Sequence, residues 1–109
     1  MPHYQEGDLA KFGDIAKDAP ELAKAFFDYY GKVFAEGALT AREKALIALG
    51  VAHAVQCPYC IEAYTTATLE QGCSRGELTE AVHVACAIRG GASLVHGVQM
   101  LNQANKISM

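Results

Sequence analysis

The sequence predicts an all-α protein. Its 109 residues include nineteen alanines, which favour helices, and only three prolines, which interrupt them. Runs of alternating polar and apolar residues, the pattern of half-buried strands, do not occur. Because 51% of the residues are hydrophobic and 19% are charged, the chain can bury one core but not a second. We therefore expect a small helical bundle that forms one domain over residues 1–109.

Two helices are predicted before residue 37. A short one is expected near residues 8–17. A longer one is expected over about 19–36, because Asp18 can cap it, Pro20 suits its first turn and Glu21 can reach back to the cap. An apolar stripe with helical spacing supports this second helix: Leu22, Phe26, Tyr29, Tyr30 and Val33.

Pro58 separates the next two predicted helices. The first of them starts with a capping box, Thr40 followed by Glu43, and runs from about 41 toward 55. At Pro58 either one long helix bends, or a new helix begins with Cys57 as its cap. We favour the new start, with a C-terminal cap at Gly72.

The C-terminal part of the chain is expected to hold two more helices. Ser74 and Glu77 form a second capping box, which opens a helix that stops at Gly90–Gly91. Because this helix is apolar on most sides, we expect it to be central in the bundle. A last helix is expected over about 92–104.

Charge and apolar content limit the possible partners. The net charge is −3 and no run is rich in Lys or Arg, which argues against nucleic-acid binding. No uninterrupted apolar stretch reaches the length of a membrane span, and the N-terminus is polar, so we expect a soluble, cytoplasmic protein without membrane contact. The high apolar share of so small a chain predicts a homo-oligomer.

The strongest chemical signal is the pair Cys57 and Cys60 at a predicted helix start. Two thiols at this spacing can form a disulfide with little rearrangement, and a helix N-terminus stabilises a thiolate. This arrangement suits thiol–disulfide exchange. The same spacing occurs in half of a zinc site or in an inert buried pair, but a second ligand pair for zinc is missing, and we expect neither a metal nor a cofactor. Cys73 and Cys86 are expected to be bystanders.

Three further side chains are candidates for the site. If the chain stays nearly helical across Pro58, then His53 and Tyr64 share one narrow face with Cys57 and Cys60. His53 could then accept a thiol proton, and Tyr64 could donate a hydrogen bond to a thiolate or a bound oxygen. Glu43 is a candidate acid–base group, although its place in the capping box already explains its presence.

Three segments of the chain occur in an order that is typical of one known family. They are EKALIALGVAH (43–53), CPYCIEAYT (57–65) and, after Gly72, ELTEAV (77–82). Together they resemble the alkylhydroperoxidase-like, carboxymuconolactone decarboxylase superfamily over about residues 20–100. The second segment is also similar to a peroxidase-like branch associated with arsenosugar biosynthesis. The resemblance implies an all-helical subunit of homotrimers or homohexamers with antioxidant activity against peroxides.

The resemblance also implies roles for the two cysteines. Cys60 would be peroxidatic, becoming a sulfenic acid, and Cys57 would be resolving, although the helix N-terminus by itself favours Cys57 as the thiolate. The family has a catalytic histidine where this chain has Tyr64 and a catalytic glutamate where it has Ala45. His53 is therefore a candidate replacement for the histidine, and Glu43, two residues early, for the glutamate.

These observations predict a peroxiredoxin-type thiol peroxidase, an enzyme that reduces hydroperoxides through a dithiol–disulfide cycle. Its partners would be a small hydroperoxide and an external dithiol reductant. The alternative is a thiol module that binds arsenite, zinc or another thiophilic ion through Cys57, Cys60 and His53 without turnover. Ring decarboxylation, another activity of the superfamily, is less favoured because it does not call for a vicinal dithiol.

Overall fold

A computed structural model of the chain describes residues 5–108, apart from the side chain of Leu9. Every regular element in this range is helical, which confirms the all-α prediction. A 3₁₀-helix comes first, at the place where a short helix was expected. The elements are the N-terminal 3₁₀-helix Asp8–Asp18, α1 Pro20–Phe34, α2 Ala41–Ala54, α3 Pro58–Glu70, α4 Arg75–Val95 and α5 Gly97–Ser108.

Both predicted capping boxes are present. The Thr40 hydroxyl accepts a hydrogen bond from the Glu43 N–H at 3.1 Å, and the Glu43 carboxylate accepts one from the Thr40 N–H at 2.8 Å. Ser74 and Glu77 repeat this pair of bonds at 3.1 and 2.8 Å. Each box satisfies donors that a helix N-terminus leaves free, which explains why α2 and α4 begin where the sequence predicts.

The predicted new helix start at Pro58 is also confirmed. The chain leaves α2 through Gln56, whose φ of 57° lies in the left-handed region, and Cys57 is extended. Pro58 then occupies the first turn of α3. At the other end of α3, Gly72 has a φ of 82°, a conformation that glycine adopts without the strain of a Cβ atom.

Three details of the sequence prediction are wrong. Asp18 does not cap α1, because Ala19 precedes the helix and no side chain bonds to its first N–H groups. Gly90 and Gly91 do not end α4, which continues to Val95, since glycine lowers helix stability without breaking the hydrogen-bond ladder. The last helix therefore starts later, at Gly97, and extends to Ser108.

The core of the bundle lies on α2 and not, as predicted, on α4. Helix α2 packs against both α3 and α4. It supplies most of the buried apolar side chains, whereas α4 buries a single one. The buried residues are Ala45, Leu49 and Ala52 on α2, Thr68 on α3, Cys73 in the following turn and Ala85 on α4.

The C-terminal half of the chain extends away from this core. Among the described elements α5 contacts only α4, and apolar side chains such as Ile88, Leu94 and Val98 are exposed. The radius of gyration is 18.9 Å, whereas a compact domain of about 100 residues has roughly 13 Å. A single chain therefore leaves a large apolar surface uncovered, and this is why α4 is not central despite its composition.

The stretch Arg75–Ser108 is long and apolar enough, by length and composition, to meet the criteria for a membrane-spanning helix. The sequence was not expected to contain such a stretch. One stretch of this kind is weak evidence for a membrane span, so length and composition do not assign this segment to a membrane.

Candidate functional site

Cys57 and Cys60 lie at the N-terminus of α3 as free, half-buried thiols. Cys57 is the residue that caps the helix, and its sulfur accepts a hydrogen bond from the Cys60 N–H at 3.2 Å. The cap holds the two side chains on the same helical turn. The pair is thus placed for disulfide formation and for holding one negative charge at the positive end of the helix.

The pKa of the Cys60 thiol lies above that of an ordinary cysteine. Burial, a hydrogen bond to Cys57 and the charge of Cys57 raise the pKa of Cys60 to about 11. At neutral pH the reduced Cys60 is therefore the protonated thiol.

Both cysteines line a cavity of about 440 Å³, which we call the chamber. It lies between the N-terminal 3₁₀-helix, α1 and α3. Its lining is mostly aromatic and aliphatic, with charged groups from the first turn of the 3₁₀-helix. The lining residues are Asp8, Lys11, Phe12, Ile15, Tyr30, Cys57, Tyr59, Cys60, Ala63 and Tyr64.

Tyr64, one of the predicted site residues, lines the chamber. Its ring stacks on Phe34 with centroids 5.3 Å apart and planes inclined by 20°, which fixes the ring against the end of α1. The Lys44 ammonium group donates hydrogen bonds to the Val33 and Ala35 carbonyls at 2.7 and 2.6 Å. These bonds hold the end of α1 on α2 and thereby keep the aromatic wall beside the thiols.

Tyr30 also lines the chamber, and the sequence analysis missed it as a site residue. Burial, and then the charges of Cys60 and Cys57, raise the pKa of Tyr30, so its phenol stays protonated beside the thiols. The signal in the sequence was the aromatic series Phe26, Tyr30 and Phe34 at spacings of four, which places these rings in contact along α1.

His53 and Glu43 are not among the residues that line the chamber. The left-handed turn at Gln56 interrupts the helix, so His53 does not continue the helical face of Cys57, and its Nδ1 donates a hydrogen bond to the Leu49 carbonyl at 2.9 Å. The Glu43 carboxylate is occupied in its capping box, where the hydrogen bonds from Thr40 lower its pKa. The structure thus brings together three of the five predicted site residues: Cys57, Cys60 and Tyr64.

The remaining cysteines lie elsewhere. Cys73 is buried in the turn after α3, and Cys86 is exposed on α4. Ala45, at the position of the family's glutamate, is part of the buried core. Within residues 5–108 no group of three or more His, Cys, Asp and Glu side chains is arranged to hold a metal ion.

Comparisons with known proteins agree with the resemblance seen in the sequence. A model of the carboxymuconolactone decarboxylase family matches residues 20–103. The chain is 36% identical over 98 residues to uncharacterized protein 4 in the cox locus of Paracoccus denitrificans, which covers 90% of this chain and 88% of that protein. A crystal structure of a protein from Methanobacterium thermoautotrophicum superposes with a TM-score of 0.76 at 36% identity, covering 79% of this chain and 97% of the other.

Proposed function

The chain belongs to the carboxymuconolactone decarboxylase family, and from this premise we propose that it is a peroxidase-like oxidoreductase that reduces hydroperoxides with Cys57 and Cys60. The family includes decarboxylases and alkylhydroperoxidases, and a vicinal dithiol suits the second activity. The observation that carries the proposal is that both free thiols open onto one chamber large enough for a small molecule. None of the matched proteins or family models is described as belonging to the arsenosugar-associated branch.

In the proposed cycle Cys60 first loses its proton to solvent. The resulting thiolate is the nucleophile that the family resemblance assigns. The Cys60 thiolate then attacks the terminal oxygen of the hydroperoxide. The S–O bond forms as the O–O bond breaks. Cys60 becomes a sulfenic acid, and the remainder of the peroxide leaves as an alkoxide.

The leaving oxygen needs a proton, and Tyr30 is the proposed donor. Its raised pKa keeps the phenol protonated while a thiolate is present, and its ring lines the same chamber as both sulfurs. Tyr64 supplies a second phenol on the chamber wall. His53 and Glu43 take no part in this cycle, because neither residue lines the chamber.

Disulfide formation completes the oxidation. The Cys57 sulfur attacks the sulfur of the Cys60 sulfenic acid, an S–S bond forms, and the hydroxyl leaves with a proton as water. The pair has then lost two electrons and the hydroperoxide has gained two. An external dithiol returns the disulfide to the two thiols, and solvent returns the proton that Tyr30 gave up.

Other copies of this chain are also part of the proposal. The exposed apolar side chains of α4 and α5 support the homotrimer or homohexamer that the family resemblance implies. Such an assembly would cover the surface that a single chain leaves open.

The proposal is tested by counting thiols. Reduced protein treated with excess cumene hydroperoxide is expected to lose two thiols per chain, and mass spectrometry of the digest should find a Cys57–Cys60 disulfide. A dithiol reductant should restore both. If all four thiols remain after treatment and the protein binds arsenite tightly, it is instead a thiol module that binds a thiophilic ion without turnover.

Replacement of Tyr30 by phenylalanine should slow the step that forms the sulfenic acid by about 10²-fold, the low end of what a positioned proton donor contributes. Tyr29→Phe is the matched control, because Tyr29 is its neighbour on α1, is 67% exposed and does not line the chamber. Stopped-flow measurement of the single-turnover rate checks this. Equal rates for the two variants would remove Tyr30 from the mechanism.

A further inference from the structure

We propose that the N-terminal 3₁₀-helix is a specificity-determining wall of the chamber, whose apolar side chains contact the organic group of a hydroperoxide and so favour it over hydrogen peroxide. This inference rests on the proposed function, since it assigns residues that hold the substrate beside the same thiols. It assigns a role to a segment that lies before residues 20–103, the part matched by the family model.

The 3₁₀-helix supplies four of the residues that line the chamber: Asp8, Lys11, Phe12 and Ile15. Two contacts hold it in place. The ring of Phe12 meets Phe27 of α1 edge to face, with centroids 5.2 Å apart, and the Tyr59 hydroxyl on α3 donates a hydrogen bond to Asp8 at 3.4 Å. The segment thus bridges α1 and α3 across the thiols, and without it the chamber would lose one side.

The size of the chamber favours a ligand larger than hydrogen peroxide. Its volume of about 440 Å³ falls within the range of pockets for small organic molecules, roughly 300–1,000 Å³. A water molecule takes about 30 Å³ of liquid, and hydrogen peroxide is only slightly larger. Hydrogen peroxide would therefore leave most of the apolar wall in contact with water, whereas an organic peroxide would displace that water.

The charges around the chamber favour a ligand without net charge. Asp8 and Lys11 are its charged lining residues, and their side chains lie 3.7 Å apart as an ion pair of opposite sign. The rest of the described lining consists of apolar or phenolic side chains and the two thiols. Such a wall offers neither a strong cation for a carboxylate nor an uncompensated anion for an amine.

Ile15 is the residue at which to test the wall. It lines the chamber, is 69% exposed and takes no part in the ring contact that anchors the segment through Phe12. Ile15→Ser is expected to lower kcat/KM for cumene hydroperoxide about tenfold, within the effect of losing apolar contact in a binding pocket. The value for hydrogen peroxide should change less than twofold.

Leu22→Ser is the matched control, because Leu22 is 76% exposed on α1 and lies outside the chamber lining. It should leave both substrates unaffected. A second variant, Ala63→Leu, narrows the chamber from α3 and should also affect cumene hydroperoxide more than hydrogen peroxide. Equal effects of Ile15→Ser on the two peroxides, or no effect on either, would overturn the proposal.

A binding measurement separates this inference from the proposed function. The alcohol 2-phenyl-2-propanol has the shape of cumene hydroperoxide but no peroxide bond, so its binding needs no turnover. Titration followed by NMR should show saturable binding to wild type and about tenfold weaker binding to Ile15→Ser. If the alcohol binds but no peroxide is consumed, the chamber is a binding site and the proposed peroxidase activity is wrong. If peroxide is consumed but the alcohol does not bind, the proposed role of the 3₁₀-helix is wrong.

Discussion

Replacement of Cys60 by serine should abolish peroxide reduction, with a loss of at least about 10³-fold, because a serine hydroxyl at neutral pH is not an effective nucleophile. The measurement is the rate of cumene hydroperoxide consumption with a dithiol reductant. Cys86→Ser is the control for the loss of a thiol as such, since Cys86 is exposed on α4 and does not line the chamber. That variant should retain the wild-type rate.

Cys57→Ser should behave differently and so establishes the order of the two thiols. It should form a stable Cys60 sulfenic acid once, and fail to turn over because no thiol resolves it. The loss of the Cys57 charge should also lower the pKa of Cys60 from about 11, so thiolate absorbance should develop at lower pH than for Cys60 in wild type. A single sulfenic acid in Cys60→Ser instead would assign the attack to Cys57.

Leu49→Ala should produce the largest loss of stability, about 2–5 kcal/mol of unfolding free energy, because it leaves a cavity where a fully buried side chain was removed. Leu49 is 1% exposed on α2, at the centre of the helix that carries the core. Leu22→Ala is the control, since Leu22 is 76% exposed on α1. Urea unfolding at one fixed protein concentration checks both variants, and equal losses would contradict the assignment of the core to α2.

Much of the fold could be predicted from the sequence, because residues close together in the chain determine where the helices begin. A capping box needs only residues three positions apart in the chain. Thr40 and Ser74 therefore predict the starts of α2 and α4. Pro58 after Cys57 indicates a helix start for the same reason. The pair of thiols at the N-terminus of α3, the centre of the candidate site, follows from these signals alone.

The extent and burial of the apolar helix were not readable in this way. Glycine is only a weak signal for the end of a helix, and the two glycines at residues 90–91 lie inside α4. An apolar composition predicts that a helix packs against other surfaces, but it does not identify those surfaces. In the single chain the neighbours of α4 are too few, and α2 becomes the buried helix.

The sequence by itself determined the helical fold, the helix starts and the vicinal thiols, since each depends on residues close together in the chain. Only the tertiary structure decided which side chains surround those thiols. The left-handed turn at Gln56 separates His53 from the pair, and the packing of α1 and the 3₁₀-helix on α3 brings Tyr30 and Ile15 to it. These residues are distant in sequence, so their meeting depends on the angles between packed helices, which no local pattern encodes.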